Sequence, residues 1–467
     1  MKSYNTMNTT NGGKVAVIGG GGIRTPLLIY GMNETAERNG LRELALYDID
    51  RQRASLMARL GQAIVEREGG GLKIAVEDSL EAAVEGADFV ISSIRPGGIA
   101  ARARDERLAF EHGFAGQETT GPGGFFMAMR TIPEALKHAR IVERYAPKAW
   151  YVSFTNPAGL IAQALALHTR LRVIGICDTP VELFHFIARA LDTPSSEVRC
   201  EYAGLNHLGW VRRVWARGED VTANLLANHQ ALRSLYPADL FAPELIRSLG
   251  VIPTEYLYFY YRRGAAYRNQ ARVKTTRAAE IERLNEQVLA EISKTLDCGD
   301  ESRAIDAYTR YLNQRSGSYL KLEASGGSAF DPPAARADPF RSATGYHRMA
   351  LEVIGALRWE TPRGVVANVL NQSALDDFAD DDVIETICDI SSAGVRPRRF
   401  GRLPEPVRGL ALAMKAFERE AVRAAVERSA LRARSALLLH PLVGDWDAAE
   451  DLVRSLASSQ PGVFQPA

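Results

Sequence analysis

Two short segments place a thiol, a carboxylate and an imidazole close together along the chain. Cys177 and Asp178 stand side by side at the end of an apolar run, and His207 follows 30 residues after the cysteine. A thiolate and an imidazole suit a borderline divalent metal, and two protein ligands leave coordination positions for substrate oxygens. The same residues fit a buried cysteine and a hydrogen-bonded histidine without metal, so spacing alone leaves both interpretations open.

A glycine-rich turn near the N-terminus carries a second kind of chemistry. An apolar strand at 14–18 runs directly into four glycines: Gly19, Gly20, Gly21 and Gly22. Residues without a Cβ let backbone N–H groups approach a pyrophosphate at the start of the next helix. The first two glycines of G-x-G-x-x-G are matched, whereas Arg24 occupies the third position. The segment predicts a dinucleotide site.

Asp48 indicates which dinucleotide is bound. It lies near the end of the next strand-like segment, 43–49, where a carboxylate accepts hydrogen bonds from the adenosine ribose and disfavours a 2′-phosphate. NAD is therefore expected rather than NADP. Asp48 follows Gly19 by 29 residues, against about 20 in most such folds, so the helix between them is expected to be long. The alternative is an ordinary turn with a solvated aspartate.

The elements that position these residues follow a βαβ pattern. Strand-like segments begin near residues 73, 88, 150 and 172, and most end in polar or glycine-rich stretches. This pattern predicts an α/β fold, a Rossmann-like doubly wound parallel sheet, whose ligands bind beyond the carboxyl ends of the strands. Arg95, Asn156, Cys177 and Asp178 should therefore meet at one crevice, which also receives the nicotinamide.

The rest of the chain has a different pattern. Residues 201–218 read as two strands around a turn at 204–208, and the pattern is mostly helical from residue 223 onward. Helices are predicted over 277–296 and 407–428, and a Gly-, Pro- and Ser-rich loop over 325–343. We predict a flexible N-terminal lead (1–12), an NAD-binding domain (13–200) and a mixed, helix-rich domain for substrate, metal and oligomerisation (201–467).

Composition narrows the classes of partner. The chain of 467 residues has 57 Lys and Arg against 56 Asp and Glu, so no bulk field attracts nucleic acid or an anionic membrane. The polar N-terminal dozen lacks the apolar centre of a signal peptide, and no run approaches about 18 apolar residues. Four scattered cysteines do not indicate a disulfide framework. We expect a cytoplasmic protein that acts on a small molecule.

Longer motifs resemble one known family. They are GFAGQETTGPGGF at 113–125, FTNP at 154–157, ICDTP at 176–180 and GLNHL at 204–208. In order and separation they resemble the NAD-dependent family 4 glycoside hydrolases, especially the 6-phospho-β-glucosidases. The likeness covers 14 to about 261, weakens through 325–343 and returns at 438–442.

The resemblance implies a reaction that explains why a dinucleotide site and a metal site occur together. NAD takes hydride from C3 of the sugar, a base removes the acidified C2 proton, and the C1–oxygen bond breaks by elimination. Water then adds, and the same NADH returns the hydride. By resemblance, Cys177 and His207 hold a divalent cation, commonly Mn²⁺, at the C2 and C3 oxygens, and Tyr256 is the base.

Asp178 leaves the anomeric preference open. By resemblance, 6-phospho-α-glucosidases carry Asp after the cysteine, as the acid for the leaving oxygen, whereas β-specific members carry Asn. Thr120 and Leu208 match the β-type motifs instead. We expect 6-phospho-β-glucosides as substrates, with 6-phospho-α-glucosides as the alternative.

The resemblance also implies further contacts. Glu118 and Thr119 are expected to line the cofactor crevice. The residues expected to bind substrate are Arg95, Asn156, Asn206 and Arg341. The family's Arg-Gly-Gly is replaced here by RSA at 341–343, so an unphosphorylated glycoside or a uronide is a further alternative.

Other classes of function remain as alternatives. The same dinucleotide turn fits an NAD-dependent sugar or hydroxy-acid oxidoreductase with a vestigial metal site, or a non-catalytic NAD-binding regulator. The resemblance implies a homodimer or homotetramer, to which an amphipathic helix at 409–428 could contribute a face.

Overall fold

The computed structural model describes residues 13–236, 240–273, 275–317, 338–342 and 344–466. The predicted lead at 1–12 and most of the predicted loop at 325–343 lie outside the described residues. The described strands are β1 (Lys14–Ile18), β2 (Glu43–Tyr47), β3 (Lys73–Val76), β4 (Phe89–Ser92), β5 (Trp150–Ser153), β6 (Arg172–Gly175), β7 (Val198–Leu205), β8 (Leu208–Ala216), β9 (Glu219–Asp220), β10 (Ile252–Pro253), β11 (Arg363–Leu370), β12 (Val383–Ser391) and β13 (Gly394–Pro397).

Helices flank these strands throughout the described ranges. They are α1 (Thr25–Asn39), α2 (Arg51–Glu68), α3 (Leu80–Val84), α4 (Gly98–Glu111), α5 (Gly121–Tyr145), α6 (Ala158–His168), α7 (Thr179–Ala190), α8 (Thr222–Ala227), α9 (His229–Arg233), α10 (Pro243–Leu249), α11 (Tyr258–Tyr261), α12 (Arg263–Val273), α13 (Arg277–Asp297), α14 (Glu301–Gly317), α15 (Tyr346–Arg358), α16 (Glu405–Glu427), α17 (Ala430–Leu439) and α18 (Trp446–Ser459). Helices α13 and α16 confirm the predictions at 277–296 and 407–428. None of the helices described is both long and apolar enough to cross a bilayer.

The first six strands form the parallel half of one sheet. Their order is β3-β2-β1-β4-β5-β6, and each adjacent pair is parallel. This is the strand order of the dinucleotide-binding fold, in which ligands bind where the order reverses, beyond the carboxyl ends of β1 and β4. The predicted Rossmann-like fold class is confirmed.

The antiparallel half continues the same sheet from β6. Its order is β6-β11-β12-β7-β8-β10, so two strands from late in the chain separate β6 from β7. The β7–β8 hairpin confirms the predicted strand pair. Strands β11 to β13 are absent from the sequence predictions. The domain division at residue 200 stays a prediction, since β11 and β12 pair with strands on both sides of it.

Helices cover both faces of the sheet because successive residues of a strand point to opposite sides. In β1, Ala16 and Ile18 pack into the cluster that contains α5, α6 and α16, whereas Val15 and Val17 pack against α1 and α15. Both faces of the central strands are therefore buried, which leaves the strand ends as the place where polar side chains gather.

Candidate active site

Three helices begin at the carboxyl edge of the parallel strands. Helices α1, α5 and α7 each carry a proline in the first turn, and their N-cap residues Arg24, Thr120 and Asp178 make no side-chain capping hydrogen bond. Proline suits this position because its missing N–H is one that no helical carbonyl would accept. The remaining first-turn N–H groups and the positive end of each helix dipole favour anionic ligands at this edge.

The glycine turn between β1 and α1 has the geometry that close backbone approach needs. Gly19 has φ 92°, and a Cβ there would stand 2.6 Å from the carbonyl oxygen of Ser93. A side chain is therefore excluded on two grounds. The Gly21 N–H donates to Asp48 Oδ2 over 2.9 Å, so the carboxylate predicted to face a ribose lies against the glycine turn.

The structure brings Cys177 and His207 together. Cys177 follows β6, and His207 lies in the two-residue turn between β7 and β8 with φ 61°, a left-handed conformation that His adopts more readily than most residues. Cys177 Sγ and His207 Nε2 are 3.3 Å apart. Both side chains are buried.

The pKa shifts of this pair follow from burial. Burial lowers the pKa of His207 to about 4, against the opposing charges of Asp178 and Glu118, so the imidazole is neutral near pH 7. Burial, with the charges of Glu385 and Asp178, raises the pKa of the Cys177 thiol well above its usual value. A bound cation would displace the thiol proton, since metals take up thiolate and neutral imidazole.

Thr119 lies against the Nδ1 side of His207. The Thr119 hydroxyl stands 3.0 Å from Gln117 Oε1 and 2.7 Å from His207 Nδ1. When its proton is directed at Gln117, the Thr119 oxygen accepts from Nδ1–H and the lone pair of Nε2 faces Cys177, which is the arrangement that metal-binding histidines use.

Tyr256 lies flat on the imidazole. The two rings stack with centroids 3.8 Å apart and planes 2° from parallel. The strand β10 and the 3₁₀ turn at 255–257 place this tyrosine, because β10 pairs with β8 beyond the His207 turn. The guanidinium of Arg102 is close enough for its charge to interact with Tyr256.

Glu118 joins residues predicted for cofactor and for substrate in one network. Its Oε1 lies 2.8 Å from Arg95 Nη2 and accepts from Asn156 Nδ2 over 3.1 Å, while Oε2 pairs with Arg102. Burial alone would raise the pKa of Glu118, but the two guanidiniums outweigh it and hold that pKa well below its usual value. Arg102 also contacts Glu106 over 2.7 Å, so this buried cation bridges two carboxylates.

One nitrogen of Arg95 remains without a partner. Nη1 is buried and has no hydrogen-bond acceptor among the described residues. A buried donor left unpaired costs free energy, and an anionic oxygen in the crevice would satisfy it. Arg95 thus uses one nitrogen to hold its place and keeps another for a ligand.

Asn206 reveals a residue that the sequence analysis missed. Its Nδ2 donates over 3.0 Å to Oε1 of Glu385, a residue of β12 that is 1% exposed. No local pattern indicated Glu385, because its strand was not predicted.

A second missed residue is Glu182. Burial, together with the charges of Asp178 and Glu255, raises the pKa of its carboxyl well above the usual value. Its spacing of four residues from Asp178 on α7 could have indicated it.

Arg341 does not join the other predicted residues. The 3₁₀ turn at 339–341 packs Phe340 against Tyr30 and Tyr308, which leaves the Arg341 side chain 74% exposed and 3.7 Å from Asp338. The packing of Phe340 turns its neighbour to solvent, and the predicted contact of Arg341 with substrate stays a prediction.

The residues present fit a divalent cation. With bonds of about 2.3 Å to sulfur and 2.0–2.1 Å to nitrogen, two neighbouring ligands of one ion stand roughly 3.1 to 3.6 Å apart, and Sγ and Nε2 are 3.3 Å apart. In the described ranges no third His, Cys, Asp or Glu completes the group, so further ligands would have to come from substrate or water. The glycine turn and Asp48 likewise fit NAD.

Comparisons with known proteins agree with this geometry. Residues 14–193 match the profile of the family 4 glycosyl hydrolases, and residues 202–443 match that of the family 4 glycosyl hydrolase C-terminal domain. Together the two profiles cover most of the chain.

Individual relatives span nearly the whole length. A probable 6-phospho-beta-glucosidase of Bacillus subtilis is 30% identical, with 95% of each chain covered. A phospho-alpha-glucosidase of Clostridium acetobutylicum is 25% identical over 96% of this chain and 98% of its own. The 6-phospho-beta glucosidase of Thermotoga maritima, solved with manganese, NAD+ and glucose-6-phosphate, superposes with TM-score 0.78 at 26% identity, covering 97% of this chain and 100% of that one.

Proposed function

The chain belongs to family 4 of the glycosyl hydrolases, and on that premise we propose that it hydrolyses 6-phospho-β-glucosides with the help of NAD and a divalent cation, Mn²⁺ by preference. The proposal is supported by one observation above all: Cys177 and His207 meet at 3.3 Å with Tyr256 stacked on the imidazole. A thiol, a neutral imidazole and a phenol at one point suit deprotonation next to a carbonyl better than direct displacement at C1.

The two bound groups supply chemistry that side chains lack. When bound, NAD accepts hydride from C3 and later returns it, and the cation draws electron density from the oxygens at C2 and C3. Cys177 and His207 hold the cation, and Thr119 keeps the Nε2 lone pair directed at it. Gly19 to Gly22 and Asp48 hold the dinucleotide.

Tyr256 takes the proton from C2. The ketone at C3 makes that proton acidic, and a phenolate formed between the cation site and Arg102 is stabilised by both positive charges. The electron pair left at C2 forms the C1–C2 double bond as the bond from C1 to the leaving oxygen breaks. Water then adds at C1 and gives a proton to the Asp178 carboxylate, and Tyr256 returns its proton to C2.

Asp178 supplies the proton to the leaving oxygen. It stands at the N-cap of α7 beside Cys177, and its charge, after burial, raises the pKa of Glu182. Asp178 and the phospho-alpha-glucosidase relative favour a second candidate, a 6-phospho-α-glucosidase. Elimination permits either anomer, because the acidity at C2 drives it.

Arg95 binds the 6-phosphate of the sugar. Glu118 anchors Nη2, so Nη1 remains for a phosphate oxygen. Asn156, held by the same carboxylate, and Asn206 face the sugar hydroxyls. Arg341 lies outside this group, so the proposal assigns it no contact.

The test measures p-nitrophenol release from the 6-phosphate of p-nitrophenyl β-glucoside, its α anomer and the unphosphorylated glucosides. We expect release from the β-6-phosphate only with both NAD⁺ and Mn²⁺ present, and without net NADH. Deuterium at C2 should exchange with solvent, and Cys177→Ser should abolish release even with Mn²⁺ present. NADH growing in proportion to substrate would instead identify an oxidoreductase.

A further inference from the structure

Glu385 differs from six other buried carboxylates of the described chain in having no cationic partner among the described residues. Six others form ion pairs: Asp88 with Arg358, Asp105 with Arg130, Glu106 and Glu118 with Arg102, Asp382 with Arg419, and Glu418 with Lys415. Within the described residues no arginine or lysine pairs with Glu385. A buried charge is costly unless it is paired or lies beside a metal.

Three neutral donors hold Glu385 in place. Oε1 accepts from Asn206 over 3.0 Å and from Asn368 over 2.8 Å, and Oε2 accepts from the Tyr202 hydroxyl over 2.6 Å. These bonds fix the position of the carboxylate and favour its ionised form, but they supply no positive charge, and burial outweighs them and raises the pKa of Glu385. The charged neighbour that acts on it most strongly is Glu418, another acid.

The strand pairing of the sheet sets Glu385 between β6, which Cys177 follows, and β7, which His207 follows. A row of paired residues crosses four strands, from Gly175 of β6 through Asn368 of β11 and Glu385 of β12 to Gly204 of β7. The glycines precede Cys177 and Asn206 by two residues each. A Cβ on Gly175 would stand 2.9 Å from the Asn368 Cβ, so glycine leaves the room that the Asn368 side chain needs to reach Glu385.

We infer that Glu385 is the buried counter-charge of the cation held by Cys177 and His207, and that it fixes the His207 turn through Asn206. This inference rests on the proposed function for the presence of the cation. Glu385 is a positioning residue: it reaches the cation site through Asn206 and through its charge, which already acts on Cys177. Outer partners of metal ligands act in this manner in other metalloproteins.

The experiment measures Mn²⁺ binding to the full chain without NAD or substrate, by calorimetry and by the electron paramagnetic resonance signal of free Mn²⁺. Glu385→Gln keeps the size of the side chain and removes the charge. We expect its Mn²⁺ affinity to fall about 10- to 100-fold. The rise in melting temperature on adding Mn²⁺ should shrink accordingly, while the metal-free variant melts no lower than metal-free wild type.

Further variants serve as controls for the Mn²⁺ affinity measured with Glu385→Gln. Asp88→Asn removes a buried carboxylate at the opposite end of β4 and should leave Mn²⁺ affinity unchanged. Tyr202→Phe removes one hydrogen bond to Glu385 and keeps its charge, so it should lose less affinity than Glu385→Gln. If Glu385→Gln does not fold, Glu385→Met removes the charge in its place, and an Mn²⁺ affinity within twofold of wild type overturns the inference.

The outcomes separate the inference from its premise. Wild type that binds no Mn²⁺ overturns the cation site, and the inference with it. Wild type that binds Mn²⁺ while Glu385→Gln binds it within twofold leaves the proposed function standing and overturns the inference alone.

Discussion

Two buried carboxylates act by charge on the pair of Cys177 and His207, Glu385 on the thiol and Glu118 on the imidazole, and their charges are balanced in opposite ways. Glu118, on the dinucleotide side, is paired with Arg95 and Arg102, whereas Glu385, on the sheet side, accepts only from neutral groups. The first region has its charges balanced by the chain itself. In the second, burial raises the pKa of Glu385 and no described cation pairs with it, which is the contrast that the inferred counter-charge role explains.

The largest expected effect concerns Tyr256, which stacks on His207 between the two regions. Tyr256→Phe should lower kcat about 10²- to 10⁴-fold, the usual contribution of a positioned acid–base group. Affinity for Mn²⁺ should stay within twofold, because the phenyl ring still covers the imidazole. The measurements are steady-state kinetics and C2 deuterium exchange, and exchange at the wild-type rate would refute the role.

An Arg102 variant tests whether the charges around Glu118 are balanced by residues of the chain alone. Arg102→Met leaves Glu106 without its cation and Glu118 with only one, so the free energy of unfolding should fall by about 3–5 kcal/mol. Denaturant unfolding measures it. Glu385→Gln, in metal-free protein, is the matched comparison, and an equal loss in both variants would contradict the contrast between the regions.

Variants of Arg95 and Arg341 compare the contributions of the two arginines predicted to bind substrate. Arg95→Gln should cost about 1.5–3 kcal/mol in kcat/KM for a 6-phosphorylated substrate, the range for a hydrogen bond to a charged group, mainly through KM. Arg341→Gln is the control and should change kcat/KM by less than twofold, since its side chain is 74% exposed. The reverse ranking would support the substrate contact predicted for Arg341 from sequence.

The smallest effect should come from Thr119, which orients His207 without touching the cation. Thr119→Val keeps the shape and removes the hydroxyl that accepts from Nδ1–H, so either ring nitrogen can carry the proton. Mn²⁺ affinity should fall about tenfold, at the low end for an outer partner of a ligand. Thr119→Ser should restore this affinity. Titration of both variants with Mn²⁺ measures the difference.

The parallel half of the fold was predictable because its signals are local. The strand before Gly19, the strand before Cys177 and the turn at His207 each occupy a few consecutive residues, and the structure places them as expected. The pairing of Cys177 with His207 required the family resemblance, since spacing alone left a metal-free alternative.

Glu385 and Asn368 could not be predicted, because they act through strands inserted between β6 and β7 from late in the chain. Nothing in the local pattern of β11 or β12 specifies which distant strands they join. Arg102 was missed for a related reason: its helix places it four residues from Glu106, but its second partner, Glu118, lies in a separate loop.

The insertion of β11 and β12 between β6 and β7 also bears on the order in which the protein matures during synthesis. A growing chain that has reached β8 holds both Cys177 and His207, yet the two strands that set their separation have not been translated. The nucleotide crevice can form early, whereas the cation pair is completed only once residues near 390 have emerged. A cation held by Cys177 and His207, as proposed, would thus report on a chain translated past β12.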